Sequence, residues 1–303
     1  MTTDEGFAAS DARSLAGGRL AALTWGDPSA PLVLALHGWL DNAMSFTHLA
    51  PELVRRGYRV VALDFSGHGH SQWLPGTLDY ALWDYVHDVL DALDELTDAP
   101  VRLLGHSMGA SVALLTASIA PERVERLWLL DGLGMLVTPE TDVVQQMRRA
   151  VTKMRRGPRA RKVHSSVASA VRARVSGGVT ALSEAQAECL VPRNLSEVDD
   201  GVVWRTDPRL LYPSLMRFTP AQRDQVLSEV ACPVTLIEAS SGVLGAHPQA
   251  VRARRHLANL DRRVIDGGHH VHLDPDKVTS IVDGFFNEHV GTADNRTKGR
   301  EDG

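Results

Sequence analysis

The chain has 303 residues, 44% of them hydrophobic and 23% charged, which is enough to bury a sizeable core without disulfides or metals to hold it. A net charge of −5 and a pI near 6.2 argue against general nucleic-acid binding, and no run reaches the ~18 apolar residues of a membrane span. The opening MTTDEGFAASDARS carries acids where a signal peptide carries basic residues and then an apolar stretch. Cys189 and Cys232 have neither a disulfide-framework nor a metal spacing; read as reduced thiols, they predict a cytoplasmic protein.

Strands are predicted at Leu20–Trp25, Leu32–Leu36, Arg59–Leu63, Val101–Leu104, Arg126–Leu130, Val234–Glu238 and Arg262–Ile265. Several are nearly continuous apolar runs, as expected of strands covered on both faces. Helical periodicity lies between them at Met44–Arg56, Tyr80–Leu96, Met108–Ala120, His247–Asn259 and Val278–His289. This alternation predicts an α/β fold, a mostly parallel central sheet flanked by helices. The rhythm breaks between Asp131 and Cys232, which holds helical stretches near Val143–Met154, Val163–Val175 and Ser183–Leu190 and no convincing strand. A structureless loop of that length is improbable in a compact domain, so an inserted helical lobe is expected. The division is then a core over 1–133 and 231–290, an insertion over 134–230 and a polar tail over 291–303.

Gly105-His106-Ser107-Met108-Gly109 reads G-x-S-x-G, directly after a buried strand and directly before an apolar helix. A serine on so sharp a turn has strained dihedrals, and neighbouring chains pass close to the positions two before and two after it. Glycine removes the side chain at both. The turn lifts the hydroxyl above the sheet and aims a helix N-terminus at charge developing there.

With these residues the chain resembles the α/β-hydrolases, over Leu32–Gly134 and Cys232–Phe286. His37-Gly38-Trp39-Leu40-Asp41-Asn42 resembles the family's oxyanion loop. Asp64-Phe65-Ser66-Gly67-His68-Gly69-His70-Ser71 resembles its D-x-x-G-H-G-x-S turn. Gly267-Gly268-His269-His270-Val271-His272-Leu273-Asp274-Pro275 resembles its catalytic-histidine loop. The HGWLDN string and Trp204–Arg209 (WRTDPR) point to the serine hydrolase-like subgroup.

The resemblance implies roles. Ser107 is the nucleophile and His269, late in the chain, the base. The oxyanion donors are the backbone amides of Met108 and Trp39. Asp64 reads as architecture rather than chemistry. Most relatives carry the acid in the loop after the strand matching Val234–Glu238, but that loop here reads Ala239-Ser240-Ser241-Gly242-Val243-Leu244-Gly245 and has no carboxylate. Some relatives carry it after the preceding strand, where this chain has Asp131. Glu238 is the alternative, and a Ser–His dyad without an acid is a third. No cofactor is expected. His269, His270 and His272 in an extended loop do not converge naturally on a metal, so no metal is expected either.

By resemblance the inserted lobe is a cap over the site. His37, Met44, Leu133, Met135 and Trp204, with Trp39, are candidates for lining the substrate pocket, and each is equally suited to core filling, His37 to holding its loop. Ten Lys and Arg and no acid lie between Val143 and Ser183, a solvated face or a field for an anionic partner. The chemistry expected is cofactor-independent hydrolysis of a carboxylic ester or related small-molecule acyl substrate through an acyl-enzyme. The same site serves C–C hydrolases, thioesterases, perhydrolases and some lyases. A non-catalytic ligand-binding protein on this scaffold is the alternative of another class, kept open by the missing carboxylate after Val234–Glu238.

Overall fold

Uninterrupted Val and Leu runs require cover on both faces, and the chain supplies it. The computed structural model describes residues 11–286 apart from 77, 78, 159, 178 and 179. Six strands come first: β1 (Asp11–Leu15), β2 (Leu20–Trp25), β3 (Leu32–Leu36), β4 (Arg59–Asp64), β5 (Val101–His106) and β6 (Val124–Leu130). A hairpin, β7 (Leu195–Val198) and β8 (Gly201–Trp204), stands apart, and β9 (Val234–Ser241) and β10 (Leu260–Gly268) complete the set. The main sheet has the order β1-β2-β4-β3-β5-β6-β9-β10. It is parallel from β4 to β10, with antiparallel pairing only at β1/β2 and β2/β4.

Nine helices are seen among the described residues: α1 (Leu49–Arg55), α2 (Asp84–Leu96), α3 (Met108–Ile119), α4 (Val143–Arg155), α5 (Val167–Ser176), α6 (Glu184–Leu190), α7 (Pro220–Ser228), α8 (Pro248–Arg254) and α9 (Val278–Phe286). Side chains alternate across each strand, so β3 feeds two cores. Leu34 and Leu36 join the cluster that holds residues of α2, α3 and α8, whereas Val33 and Ala35 join the one that holds residues of α1 and α9. The central strand ends therefore sit between fixed layers, and loops leaving them are held at their roots. None of the described helices is long and apolar enough to cross a membrane.

The structure departs from the sequence expectations at definite places. The first predicted helix splits into a 3-10 turn, Ala43–Phe46, and α1. β1 was not predicted because DARSL is polar and four of its five residues are exposed at a sheet edge. The stretch between Asp131 and Cys232 is not strand-free: β7 and β8 pair across a two-residue turn, and the hairpin packs beside α5 and α6 around Val171, Leu190, Leu195 and Val202. These strands have four residues each, too short for period-two patterning to register. α7 was also missed, although Thr219 and Gln222 form a reciprocal capping box with Pro220 opening the helix. It lies against α3 and α8, and its Leu227 belongs to the sheet's core. The tail over 291–303, and the end of the last predicted helix beyond Phe286, lie outside the described residues.

Candidate active site

Ser107 stands between β5 and α3 with φ 52° and ψ −111°, a conformation L-residues avoid. The surroundings enforce it. A Cβ on Gly105 would lie 2.6 Å from the Ala110 backbone, and one on Gly109 would lie 2.0 Å from the Leu36 carbonyl oxygen. The Ser107 amide donates to the Leu130 carbonyl at 3.1 Å, tying the turn to the end of β6. The serine is thus held, half-buried, at the sheet's carboxyl edge by backbone contacts on three sides.

His269 follows the bulged end of β10. Its Nε2 is 3.0 Å from Ser107 Oγ, and its Nδ1 is 2.6 Å from Asp131 Oδ2. Asp131 is wholly buried just past β6, itself at positive φ (38°). Its carboxylate also accepts the amides of Val243 at 2.9 Å and Ala239 at 3.2 Å. Burial alone would raise the Asp131 pKa, but the His269 hydrogen bond, the Val243 and Ala239 amides and the His269 charge more than offset it and hold it below the ordinary carboxylate value. An imidazole that gives its Nδ1 proton to this carboxylate presents Nε2 as an acceptor to the serine hydroxyl. Of the two carboxylates weighed from sequence, only Asp131 meets the histidine. Glu238 is buried in ion pairs with Arg254 at 2.6 Å and Arg262 at 2.8 Å.

The loop after β3 is anchored below the site. His37 is fully buried; its Nε2 accepts the Phe65 amide at 3.1 Å, so its Nδ1 carries the hydrogen that reaches the Gly38 carbonyl at 2.7 Å. Burial lowers its pKa and keeps the ring neutral. Asp64 is a second anchor, accepting the amides of Ala43 and His70 and pairing with Arg193 from the inserted segment at 2.8 Å. The Trp39 indole donates to the Leu210 carbonyl at 3.1 Å. The backbone amides of Trp39 and Met108 have no protein acceptor among the described residues, which leaves both free for a ligand oxygen.

The pocket expectation needs correction at His37 and Met135. His37 is enclosed by protein, and Met135 fills a small cluster with Val86 and Leu115. Leu133 belongs to the main core. Met44 packs between the sheet's second core and the hairpin lobe, and Trp204 packs on the lobe, edge-on to His164. Asp41, His106 and His270 received no role from sequence, yet they bring ligand atoms within 4.8 Å of one another, all buried, the one such group found among the described residues with spacing fit for a metal ion. His269 faces Asp131 instead, and His272 lies against the His106 ring at 4.1 Å between centroids. The signal for Asp41 was a lone acid directly after the HGWL string; for His106 it was merely the variable position of G-x-S-x-G.

Known proteins carry the same frame. A family model for the alpha/beta hydrolase fold matches residues 31–172. A serine hydrolase-like protein of Dictyostelium discoideum is 31% identical over 95% of this chain and 85% of its own length. The chain belongs to the α/β-hydrolase family. Among solved α/β structures, a hypothetical protein of Pseudomonas aeruginosa PAO1 is 41% identical with a TM-score of 0.84, covering 92% of this chain and 98% of that one. The thioesterase domain from the curacin biosynthetic pathway is 26% identical with a TM-score of 0.81, covering 92% and 100%. This α/β hydrolase therefore shares its fold with both solved proteins over 92% of its length.

Proposed function

We propose that this α/β hydrolase is a cofactor-independent serine hydrolase that cleaves a carboxylic ester or related small-molecule acyl compound through an acyl-enzyme. The observation that carries it is the continuous line of contacts from Ser107 Oγ to His269 Nε2 (3.0 Å) and from His269 Nδ1 to Asp131 (2.6 Å). His269 takes the Ser107 proton as Oγ attacks the acyl carbon. Asp131, held by two amides, fixes the imidazole tautomer and stabilises the imidazolium. The free amides of Trp39 and Met108 donate to the oxyanion, aided by the N-terminus of α3. Collapse of the tetrahedral adduct expels the leaving group, which collects the proton from His269. Water then enters along the same path and releases the acid. In this proposal α5, α6 and the β7–β8 hairpin form a cap, docked through Met44 and Leu273 onto the loops that carry the oxyanion donor and the base. The two free cysteines fit a reducing, cytoplasmic location.

Covalent labelling with a fluorophosphonate probe and peptide mapping tests this. Labelling confined to Ser107, and lost together with esterase turnover in a folded Ser107→Ala variant, is expected. Esterase turnover surviving Ser107→Ala would overturn it. A thioesterase is the second reading, favoured by the fold shared with the curacin thioesterase domain at 26% identity. Comparing kcat/KM for an ester and a thioester of one acyl chain separates the two.

A further inference from the structure

Asp41 is a carboxylate with 2% exposure that the chemistry above does not use. Its Oδ2 lies 3.2 Å from His270 Nε2 and 3.5 Å from His106 Nδ1. These two histidines are sequence neighbours of the reacting groups: His106 precedes Ser107 and His270 follows His269. His106 is also tied across the site, because its Nε2 lies 3.1 Å from the His269 carbonyl oxygen. A carbonyl only accepts, so the ring hydrogen is on Nε2, and Nδ1 faces Asp41. Burial lowers the His106 pKa to about 4, opposed by its contact with Asp41. The chain makes room for this junction with Gly38, where a Cβ would stand 2.8 Å from Asp41 Oδ2 and 2.9 Å from His106 Nδ1. Asp41 itself belongs to the tight turn that carries Trp39, closed by its amide on the Gly38 carbonyl at 3.1 Å. A single side chain thus joins the oxyanion loop, the serine turn and the histidine loop.

We propose that Asp41 is a positioning residue, hydrogen-bonded to the neighbour of His269 and in contact with the neighbour of Ser107, and so setting the distance between nucleophile and base. This rests on Ser107 and His269 being that pair. A metal ion would need the same three donors, but His270 Nε2 already meets the carboxylate as a hydrogen-bond donor at 3.2 Å, and His106 Nδ1 lies against it at 3.5 Å. The grip needs contact, not charge. An asparagine NH2 in place of Oδ2 can donate to His106 Nδ1 and, with the His270 hydrogen moved to Nδ1, to His270 Nε2, whereas alanine makes neither contact.

The test measures the maximal rate of fluorophosphonate labelling and the reversible binding constant of the probe separately. It also records the far-downfield NMR signal of the proton between His269 Nδ1 and Asp131. In Asp41→Ala the labelling rate falls about 10–100-fold, as expected of a misplaced reacting pair, with probe binding unchanged and the proton signal lost. Asp41→Asn stays within about fivefold of wild type, the worth of one exchanged hydrogen bond, and keeps the signal. A role in folding alone would lower the fraction of protein labelled and leave the rate of the folded fraction as it was. A folded Asp41→Ala with wild-type rate and signal overturns the proposal, as does equal impairment of the alanine and asparagine variants. Should Asp41→Ala not fold, His270→Leu removes the hydrogen bond to Asp41, and a wild-type labelling rate there counts equally against it. If wild-type protein does not label at Ser107, the assignment of the nucleophile fails, and the proton signal alone decides on Asp41.

Discussion

Gly242 offers a sharp perturbation, because it reaches the proposed acid, Asp131, without changing its chemistry. A Cβ there would lie 2.2 Å from Asp131 Oδ2, 2.4 Å from Oδ1 and 2.5 Å from Cγ. Its φ is outside the left-handed region, so Gly242→Ala adds no backbone strain, and the whole effect is steric. Neither oxygen can yield without loss: Oδ2 holds His269 Nδ1 at 2.6 Å and the Val243 amide at 2.9 Å, and Oδ1 holds the Ala239 amide at 3.2 Å. Ordinary contact for a Cβ begins at 3.4 Å, so the carboxylate or its loop must retreat by about 1 Å, a misplacement worth on the order of 100-fold in rate. The ceiling is outright loss of an orienting acid, about 10⁴-fold in the serine protease template. Labelling rate and esterase kcat/KM should therefore fall between these bounds with near-native denaturant stability. If the effect runs through Asp131, it vanishes in an Asp131→Ala background, since residues acting as one unit are not additive. A wild-type rate in Gly242→Ala, or an undiminished effect in the double variant, would refute the assignment of Asp131 as the orienting acid.

Other expectations separate the fold from the chemistry. Glu238→Ala frees Arg254 and Arg262 and should cost about 1–3 kcal/mol in denaturant unfolding while the Ser107 labelling rate stays unchanged; a large loss of labelling in folded protein would reinstate Glu238 as the acid. Gly109→Ala drives a methyl to 2.0 Å from the Leu36 carbonyl and should cost at least about 3 kcal/mol, so an unchanged unfolding midpoint would contradict the close α3–β3 approach. Asp131 has a depressed pKa in the folded state, so its contribution is present above the ordinary carboxylate pKa of 3.8 and disappears as pH falls through the lower, folded value. The deficit of Asp131→Asn, measured by unfolding at about pH 7, should shrink by about pH 3; a constant deficit would show that ionised Asp131 gives the fold nothing.

What was legible in the sequence was whatever backbone packing dictates locally. The apolar runs of β3 to β6 and the glycines around Ser107 have no other economical use, so both sheet and turn could be read from spacing. The capping box at Thr219 is equally legible in Thr219-Pro220-Ala221-Gln222, but α7 behind it has only nine residues and little apolar periodicity to mark it as a helix. β1, with four exposed residues, carries no burial pattern to read. The junction at Asp41 depends on three segments meeting in space, and no local spacing encodes that.

The position of the acid shows how the two levels connect. In the commonest family pattern the loop after β9 carries the carboxylate, and here it has none, which left a non-catalytic scaffold open as an alternative. In the fold that loop serves the carboxylate from outside. Ala239 and Val243 donate their amides to it, and Gly242 between them stays bare because Asp131 occupies the space its side chain would fill. A loop whose amides and missing side chain are all fitted to one carboxylate oxygen pair is poorly explained by a solvated or capping Asp131. It is what the acid proposed here at the end of β6, in place of one after β9, would require, and that is why Gly242→Ala, at a residue with no reactive group, is expected to reach the rate of Ser107.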